Sequence, residues 1–299
     1  MYTFCIIGSS TPLQKVLPYF FEFENAKVQY VFLDTTQDTE TIKFCESKHI
    51  PYRSLNELKT PAGREFIKTL QFDYLFNINS TFIIPAEILQ IANKANLNLH
   101  PGKLPEYAGM HTHQWAIRNN ETSFGVTLHY MLEGIDIGPI CLQQIFPIST
   151  QETGLGLFLK CLQEGSTLVK KAISIICRGE QLPSVPQDLE KRKLYTVKMA
   201  QNGEINWNLS ALEICNFIRA ANYAPFQSPT YHPFFKFNNA VFYCGKALVE
   251  EDQKLSPGSF KLIDKGLLCG TATSAIFIAK LKSENGEIIN EKRLHEIFK

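Results

Sequence analysis

Apolar positions in the first hundred residues fall into short solid runs, and stretches with helical spacing separate them. Tyr2–Gly8 is one such run, ending in Gly-Ser-Ser, and Val28–Leu33 is a second. Ile50–Arg53 reads as a short third strand, Phe72–Ile78 as a fourth and Asn96–His100 as a fifth. Between them Gln14–Phe23, Thr39–Ser47 and Pro85–Asn93 read as helices, the last with proline in its first turn. This alternation implies a parallel, helix-covered sheet. Gly125–Met131 and Pro139–Ile148 are two further strands joined by a short glycine-containing loop, suited to antiparallel pairing at one end of that sheet. Thr153–Cys177 carries Leu155, Leu159, Leu162, Leu168 and Ile173 at helical spacing. Gly154, Gly156 and Gly165 weaken the pattern near its start.

The grammar then changes. Residues 179–202 are polar, charged and broken by Pro183 and Pro186, so they read as a linker between a first domain, 1–178, and a second, 203–299. Ser210 and Glu213 form a capping box that opens a helix with Ile214, Phe217, Ile218 and Ala221 on one side. Short strands follow. Phe235–Phe237 and Val241–Tyr243 flank Asn238-Asn239, and Phe260–Ile263 and Leu267–Cys269 flank Lys265-Gly266. Ala275–Lys282 and Glu287–Ile289 flank Asn285-Gly286. That spacing predicts a small barrel or curled sheet beside one helix.

Composition narrows the function classes. The chain of 299 residues is 44% hydrophobic with a net charge of +1, which lacks the basic signature of a nucleic-acid binder. Lys191-Arg192-Lys193 is a short basic run that reads as part of the solvated linker. The 8 cysteines are scattered, form no C-x-x-C pair and often sit in apolar runs, as expected of reduced thiols in the cytosol. The start, MYTFCIIGSS, has no signal-peptide pattern, and no apolar stretch approaches a membrane span.

Chemistry concentrates between Asn96 and Gln144. Side chains alternate along a strand, so Asn98 and His100 share one face while Leu97 and Leu99 point into the core. A polar pair at the carboxyl end of a parallel strand stands where open α/β sheets place ligand chemistry. Gly134-Ile-Asp136-Ile-Gly138-Pro139 is a glycine-flanked loop that can deliver one carboxylate to a partner. Alone, each piece has a plain structural explanation, as packing or capping for Asn-x-His and as a turn for the glycine loop.

Taken together they resemble the folate-dependent formyltransferase family. Its pattern runs Asn-(Leu/Ile)-His-x-Ser-x-Leu-Pro-x-(Tyr/Phe)-x-Gly, then Gly-Val-Thr-x-His-x-Met, then Asp-x-Gly-x-Ile and a Gln. The chain supplies Asn98-Leu99-His100, Leu104-Pro105, Tyr107 and Gly109. It goes on with Gly125-Val126-Thr127, His129, Met131, Asp136, Gly138, Ile140 and Gln143. The resemblance implies a Rossmann-like, mostly parallel sheet with helices on both faces, followed by a small OB-like β-rich domain. It also implies formyl transfer from 10-formyltetrahydrofolate to an amine. In that reaction Asn98 would donate to the developing oxyanion, His100 would act as general base for the amine or as a cationic stabiliser, and Asp136 would orient the imidazole. The pterin would be held by Phe82, Ile83 and Ile84 together with Gly134, Ile135, Asp136 and Gly138, and no metal is expected. Two departures stand out: the family's Ser is Gly102 here, and its Arg is Ala108.

The acceptor is narrowed by what accompanies the motif. Methionyl-tRNA formyltransferases carry a long basic insertion after the second strand, whereas here Leu33-Asp-Thr-Thr-Gln-Asp38 runs directly toward a helix. A small-molecule amine is therefore expected, of amino-sugar, amino-acid or hydroxyornithine type, with no membrane partner and a homodimer left open. Met110, His111, His113 and Trp115 match the acceptor-side stretch of such enzymes, and the run Arg219–Pro229 resembles sugar and peptide-synthetase members. His111, His113 and His129 lack the further ligands that a zinc site needs. A formyltetrahydrofolate hydrolase is the nearest rival, but such enzymes carry an N-terminal regulatory domain and this sequence opens on the first strand. A non-catalytic folate-binding module has no need of all three polar residues, and a dehydrogenase would need a Gly-x-Gly-x-x-Gly turn that Gly8-Ser-Ser does not make.

Overall fold

β1 (Tyr2–Gly8), β2 (Ala26–Leu33), β3 (Tyr52–Ser54), β4 (Tyr74–Ile78) and β5 (Ala95–His100) run parallel in the order β3-β2-β1-β4-β5. The computed structural model describes residues 1–34, 39–200, 203–263 and 266–298. Helices α1 (Ser10–Val16), α2 (Thr39–Ser47), α3 (Pro61–Thr69) and α4 (Ala86–Leu89) connect the strands. β6 (Ala108–Gly109) and α5 (Thr112–Arg118) come next in the chain. β7 (Ser123–Tyr130) then pairs antiparallel with β5, and β8 (Ile140–Pro147) closes the edge. α6 (Gly154–Cys177) and the short β9 (Leu194–Tyr195) follow.

The solid apolar runs have a simple cause: both faces of this sheet are buried. Phe4, Ile6, Phe76, Ile78, Leu97, Leu99 and Leu128 pack on one face with Val169, Ala172, Ile173 and Ile176 of α6. Cys5, Ile7, Phe32 and Leu75 pack on the other with Leu58, Ile67 and Ile88. Each fully buried side chain of this size contributes about 1.5–3 kcal/mol. Gly165 has a specific role in this layering. A Cβ there would come within 3.1 Å of the Leu99 side chain, so glycine lets α6 press against the back of β5. That backing supports the strand whose other face carries Asn98 and His100.

Several elements differ from the sequence expectation. The helix expected over Gln14–Phe23 begins earlier and stops at Val16, and a 3-10 turn, Leu17–Glu22, continues it. Pro18 has no N–H to offer an α-helix there. The helix expected over Pro85–Asn93 ends at Leu89. α3 was not expected because Pro61 and Gly63 mask its periodicity, yet Thr60 caps it by accepting from the Gly63 amide at 3.1 Å. In place of a strand at Glu287–Ile289 there is one bridge, between Lys282 and Ile288. The Thr35–Asp38 stretch, the end of the expected linker at 201–202 and the Lys265 turn position lie outside the described residues.

The chain divides into two compact units. The first comprises Met1–Gly109, Gly125–Phe146 and Lys160–Leu194, and the second Met110–Phe124, Pro147–Leu159 and Tyr195–Lys299. In the second unit α7 (Ala211–Ala220) starts with the expected capping box, Ser210 Oγ accepting from the Glu213 amide at 3.2 Å and Glu213 accepting from the Ser210 amide at 2.9 Å. β10 (Phe234–Phe237), β11 (Ala240–Glu250), β12 (Phe260–Ile263), β13 (Gly266–Gly270) and β14 (Ala275–Ser283) make an antiparallel sheet in the order β10-β11-β14-β13-β12. Register shifts around Gly245 bend β11 and curl the sheet. α8 (Glu291–Phe298) places Phe298 against the rings of Phe235, Phe237, Phe242 and Phe260.

Candidate active site

Strand pairing builds the site. Ile7, Asn77, Asn98 and His129 are successive cross-strand partners on β1, β4, β5 and β7, so their side chains form one row on one face of the sheet. The apolar layer containing Cys5, Ile7 and Leu75 gives way along this row to polar groups. Asn98 Nδ2 lies 2.9 Å from His129 Nε2 and 3.4 Å from Asp136 Oδ1. His100, one step further along β5 and paired with Thr127, brings Nδ1 to 3.6 Å from Asp136 Oδ2. His129 Nε2 is 3.4 Å from Asp136 Oδ1. Asn98, His100 and Asp136, expected from the sequence as the catalytic group, are thus brought together.

His129 joins them, although the sequence reading used it only as a motif position and as a rejected zinc ligand. The signal was available: alternation puts Thr127 and His129 on one face of β7. What was missing was the register that sets His129 directly opposite Asn98. Asn77 also belongs to the row. It is buried, and its Oδ1 has no hydrogen-bond partner among the described residues.

The histidines are oriented by backbone carbonyls, which can only accept. His100 Nε2 lies 2.7 Å from the Tyr107 carbonyl, and His129 Nδ1 lies 2.8 Å from the Tyr130 carbonyl. Each of those nitrogens must therefore carry the proton. The nitrogens left to gain or lose a proton, His100 Nδ1 and His129 Nε2, are the two that face Asp136. The Gly109 amide donates to Asp136 Oδ2 at 2.8 Å. Burial pushes the Asp136 carboxyl upward, but the His100 charge, the His129 hydrogen bond and the Gly109 amide outweigh it. The result is a carboxyl held well below the usual carboxylate range, an anion maintained beside two imidazoles.

The departure at Gly102 has a steric reason. A Cβ there would run into His100 Nε2 and come 2.5 Å from the Tyr107 carbonyl. The imidazole occupies the space that a serine side chain would need. Thr127 Oγ1 donates to the Gly102 carbonyl at 2.7 Å, and Gln143 Nε2 donates to Thr127 Oγ1 and to the Leu104 carbonyl, both at 2.9 Å. These bonds fix the turn after β5. Ala108 is fully buried.

Of the residues expected to hold a pterin, Phe82 and Ile84 pack partly buried on the apolar layer of Cys5 and Ile7, while Ile83 is 74% exposed. Ile135 is also exposed. Gly134 has φ +122, and Gly138 approaches the Tyr130 carbonyl too closely for any side chain. Asp136 itself has φ +54, a left-handed conformation. Lys191-Arg192-Lys193, read as a solvated run, needs correction at its centre. The Arg192 guanidinium donates to the Ile135 carbonyl at 2.8 Å. Periodicity cannot reveal such a contact.

The residues expected on the acceptor side all lie in the second unit. Met110 is exposed and His111 half-buried. His113 is buried, hydrogen-bonded to the Tyr223 hydroxyl and tilted against Phe158. Trp115 stacks on Tyr195 at 5.2 Å under the Arg118 guanidinium. His113 and Trp115 are thus largely enclosed by side chains of their own unit. Burial, with a smaller contribution from His111, pushes the His113 pKa down to about 3. The unfolded chain takes up a proton near the ordinary value of about 6.5 and the folded chain does not, so stability falls as pH drops from that value toward the folded one. Urea unfolding should show the wild type losing on the order of 1 kcal/mol more than His113→Gln between pH 7.5 and 5.5. Equal losses in the two proteins would refute this account of His113.

Among the described residues no three His, Cys, Asp or Glu side chains gather as a metal site, and no helix is long and apolar enough to cross a membrane. Comparison with known proteins agrees with the geometry. A family model described as formyl transferase matches residues 23–175, and one described as formyl transferase, C-terminal domain, matches residues 198–298. The fold is shared with an N-formyltransferase from Helicobacter canadensis in complex with folinic acid and dTDP-3-aminofucose, at 23% identity and a TM-score of 0.73, covering 94% of this chain and 100% of that one. It is shared with WlaRD, a sugar 3N-formyl transferase solved in the presence of dTDP and 5-N-formyl-THF, at 23% identity and a TM-score of 0.71, over 95% and 98% of the two chains. HypX from Aquifex aeolicus in complex with tetrahydrofolic acid matches at 19% identity and a TM-score of 0.61, over 98% of this chain but 47% of that one. With family models matched along most of its length and the Asn98, His100 and Asp136 group assembled at the rim of its sheet, the chain belongs to the formyl transferase family.

Proposed function

We propose that the protein transfers the formyl group of 10-formyltetrahydrofolate to the primary amine of an amino sugar. The observation that carries this reading is the convergence of Asn98, His100 and His129 on the buried Asp136 carboxylate. Asn98 donates an N–H to the formyl oxygen as the amine nitrogen bonds to the formyl carbon and the oxygen becomes negative. A preorganised donor of this kind is worth about 3–4 kcal/mol of barrier. His100 accepts the amine proton at Nδ1, since Nε2 is already committed to the Tyr107 carbonyl. Asp136 pairs with the imidazolium so formed. The bond from the formyl carbon to N10 then breaks as the His100 imidazolium returns that proton to N10, and a formamide and tetrahydrofolate leave with His100 restored.

Exposed Ile83 and Ile135 are the apolar surfaces offered to the pterin, with backbone groups of residues 82–84 and 134–138 as its polar partners. Exposed Met110 and half-buried His111 are the candidates on the acceptor side. The sugar reading is favoured by the similar solved structures named above, two of which are sugar or aminofucose-bound formyltransferases. The test is incubation of the purified protein with 10-formyltetrahydrofolate and a panel of nucleotide-linked amino sugars, hydroxyornithine, amino acids and Met-tRNA. A mass gain of one formyl group on an amino sugar is expected. Formylation of Met-tRNA alone, or release of formate with every acceptor left unmodified, would overturn the proposal.

A further inference from the structure

The stretch expected to be a linker is tied along its length to the two backbone segments that hold Asp136. The Leu182 carbonyl accepts from the Tyr130 hydroxyl at 3.2 Å. Val185 and Ile140 exchange backbone hydrogen bonds at 2.7 and 2.9 Å, which locks the register of the stretch against the start of β8. Gln187 Nε2 then donates to two carbonyls at once, Asp136 at 3.0 Å and Gly138 at 2.6 Å. Arg192 donates to the Ile135 carbonyl at 2.8 Å. Last, the Lys193 carbonyl accepts from the Ala108 amide at 3.0 Å, and the next residue, Gly109, donates to the Asp136 carboxylate.

We propose that residues 182–193 form a positioning strap for the Asp136 carboxylate, with Gln187 as its central positioning residue. Three carbonyls of the Asp136 loop, at Ile135, Asp136 and Gly138, are held by two strap side chains. The same strap holds the segment whose amide grips the carboxylate from the other side. Asp136 needs such support because its left-handed backbone conformation persists only when its surroundings over-determine it. The carbonyls cannot hold one another, since all are acceptors. A donor from outside the loop is required, and an amide with two N–H groups can serve two of them. Gln187 touches no reacting atom in this scheme and acts through Asp136.

The inference rests on the formyl-transfer reading for its catalytic consequence, so the test has an arm that needs no substrate. Gln187→Met keeps the length of the side chain and removes both N–H donors. Gln187→Lys restores a donor. Hydrogen exchange on the substrate-free enzyme should quicken about tenfold or more at Gly109 and across residues 133–138 in Gln187→Met, while β5 stays protected. In the formyl-transfer assay kcat should fall about tenfold or more with the acceptor KM little changed, because a displaced group costs rate rather than ground-state binding. Gln187→Lys should recover part of both effects. Should Gln187→Met not fold, Arg192→Met removes the donor to Ile135 and should show the same local exchange. Unchanged exchange at Gly109 and the loop, or exchange quickened evenly through the whole sheet, would overturn the strap. So would wild-type kcat in Gln187→Met. Absence of formyl transfer in the wild type would instead count against the proposed function, and the strap would stand or fall on exchange.

Discussion

Asp136→Asn is expected to lower kcat by about 10³–10⁴-fold while the fold is kept. The substitution preserves volume but removes the anion that faces His100 Nδ1 and His129 Nε2 at 3.6 and 3.4 Å. An imidazolium formed on His100 during proton transfer would then stand buried without a counter-charge. The new amide would also turn an N–H toward nitrogens or the Gly109 amide, where the carboxylate offered only acceptors. The same variant has a pH signature. The Asp136 carboxyl is depressed in the folded state, so its contribution to stability is complete above the ordinary carboxylate pKa of about 4. It is lost only as pH falls below that toward the folded value. Acid unfolding of Asp136→Asn should lack that component. Steady-state kinetics at neutral pH, with acid titration followed by circular dichroism, check both arms. A variant with near-normal turnover would remove Asp136 from the mechanism.

His100→Ala is the second large effect, with an expected loss of about 10²–10⁴-fold in kcat. The side chain is buried, and its Nε2 is tied to the Tyr107 carbonyl, so the ring has one orientation and one nitrogen available. Deleting it opens space against Gly102, the Tyr107 carbonyl and Asp136, the space an added imidazole would fill. Added imidazole should therefore restore part of the rate in His100→Ala and none in Asp136→Asn. Rates of His100→Ala within a few-fold of wild type would assign the base role elsewhere, with His129 the neighbouring candidate across the Asp136 carboxylate.

Both effects depend on a constellation of which only part was legible in the sequence. Alternation along Asn96–His100 was enough to put Asn98 and His100 on one face and Leu97 and Leu99 on the other, because a strand has a period of two whatever surrounds it. The solid apolar runs announced a sheet buried on both faces for an equally local reason. The resemblance of the stretch from Asn98 to Gln143 to the formyltransferase pattern implied the chemistry. Helices α3 and α5 left no such trace, since Pro61, Gly63 and the buried polar residues Thr112, His113 and Gln114 blur the helical period. His113 and Trp115 matched an acceptor-side stretch in the linear pattern, and that pattern gave no sign of their burial against Tyr223, Phe158 and Tyr195.

What the chain determined by itself is the face on which each strand residue sits and the residue types offered at the rim. What tertiary structure decided is which of those groups meet. The pairing of Asn98 with His129 across β5 and β7, and the grip of Gln187 on carbonyls about fifty positions earlier, are contacts between distant parts of the chain. A hydrogen bond from a side-chain amide to a remote carbonyl has no period and no preferred spacing. It exists only once packing of the sheet has brought donor and acceptor within 3 Å or so of each other.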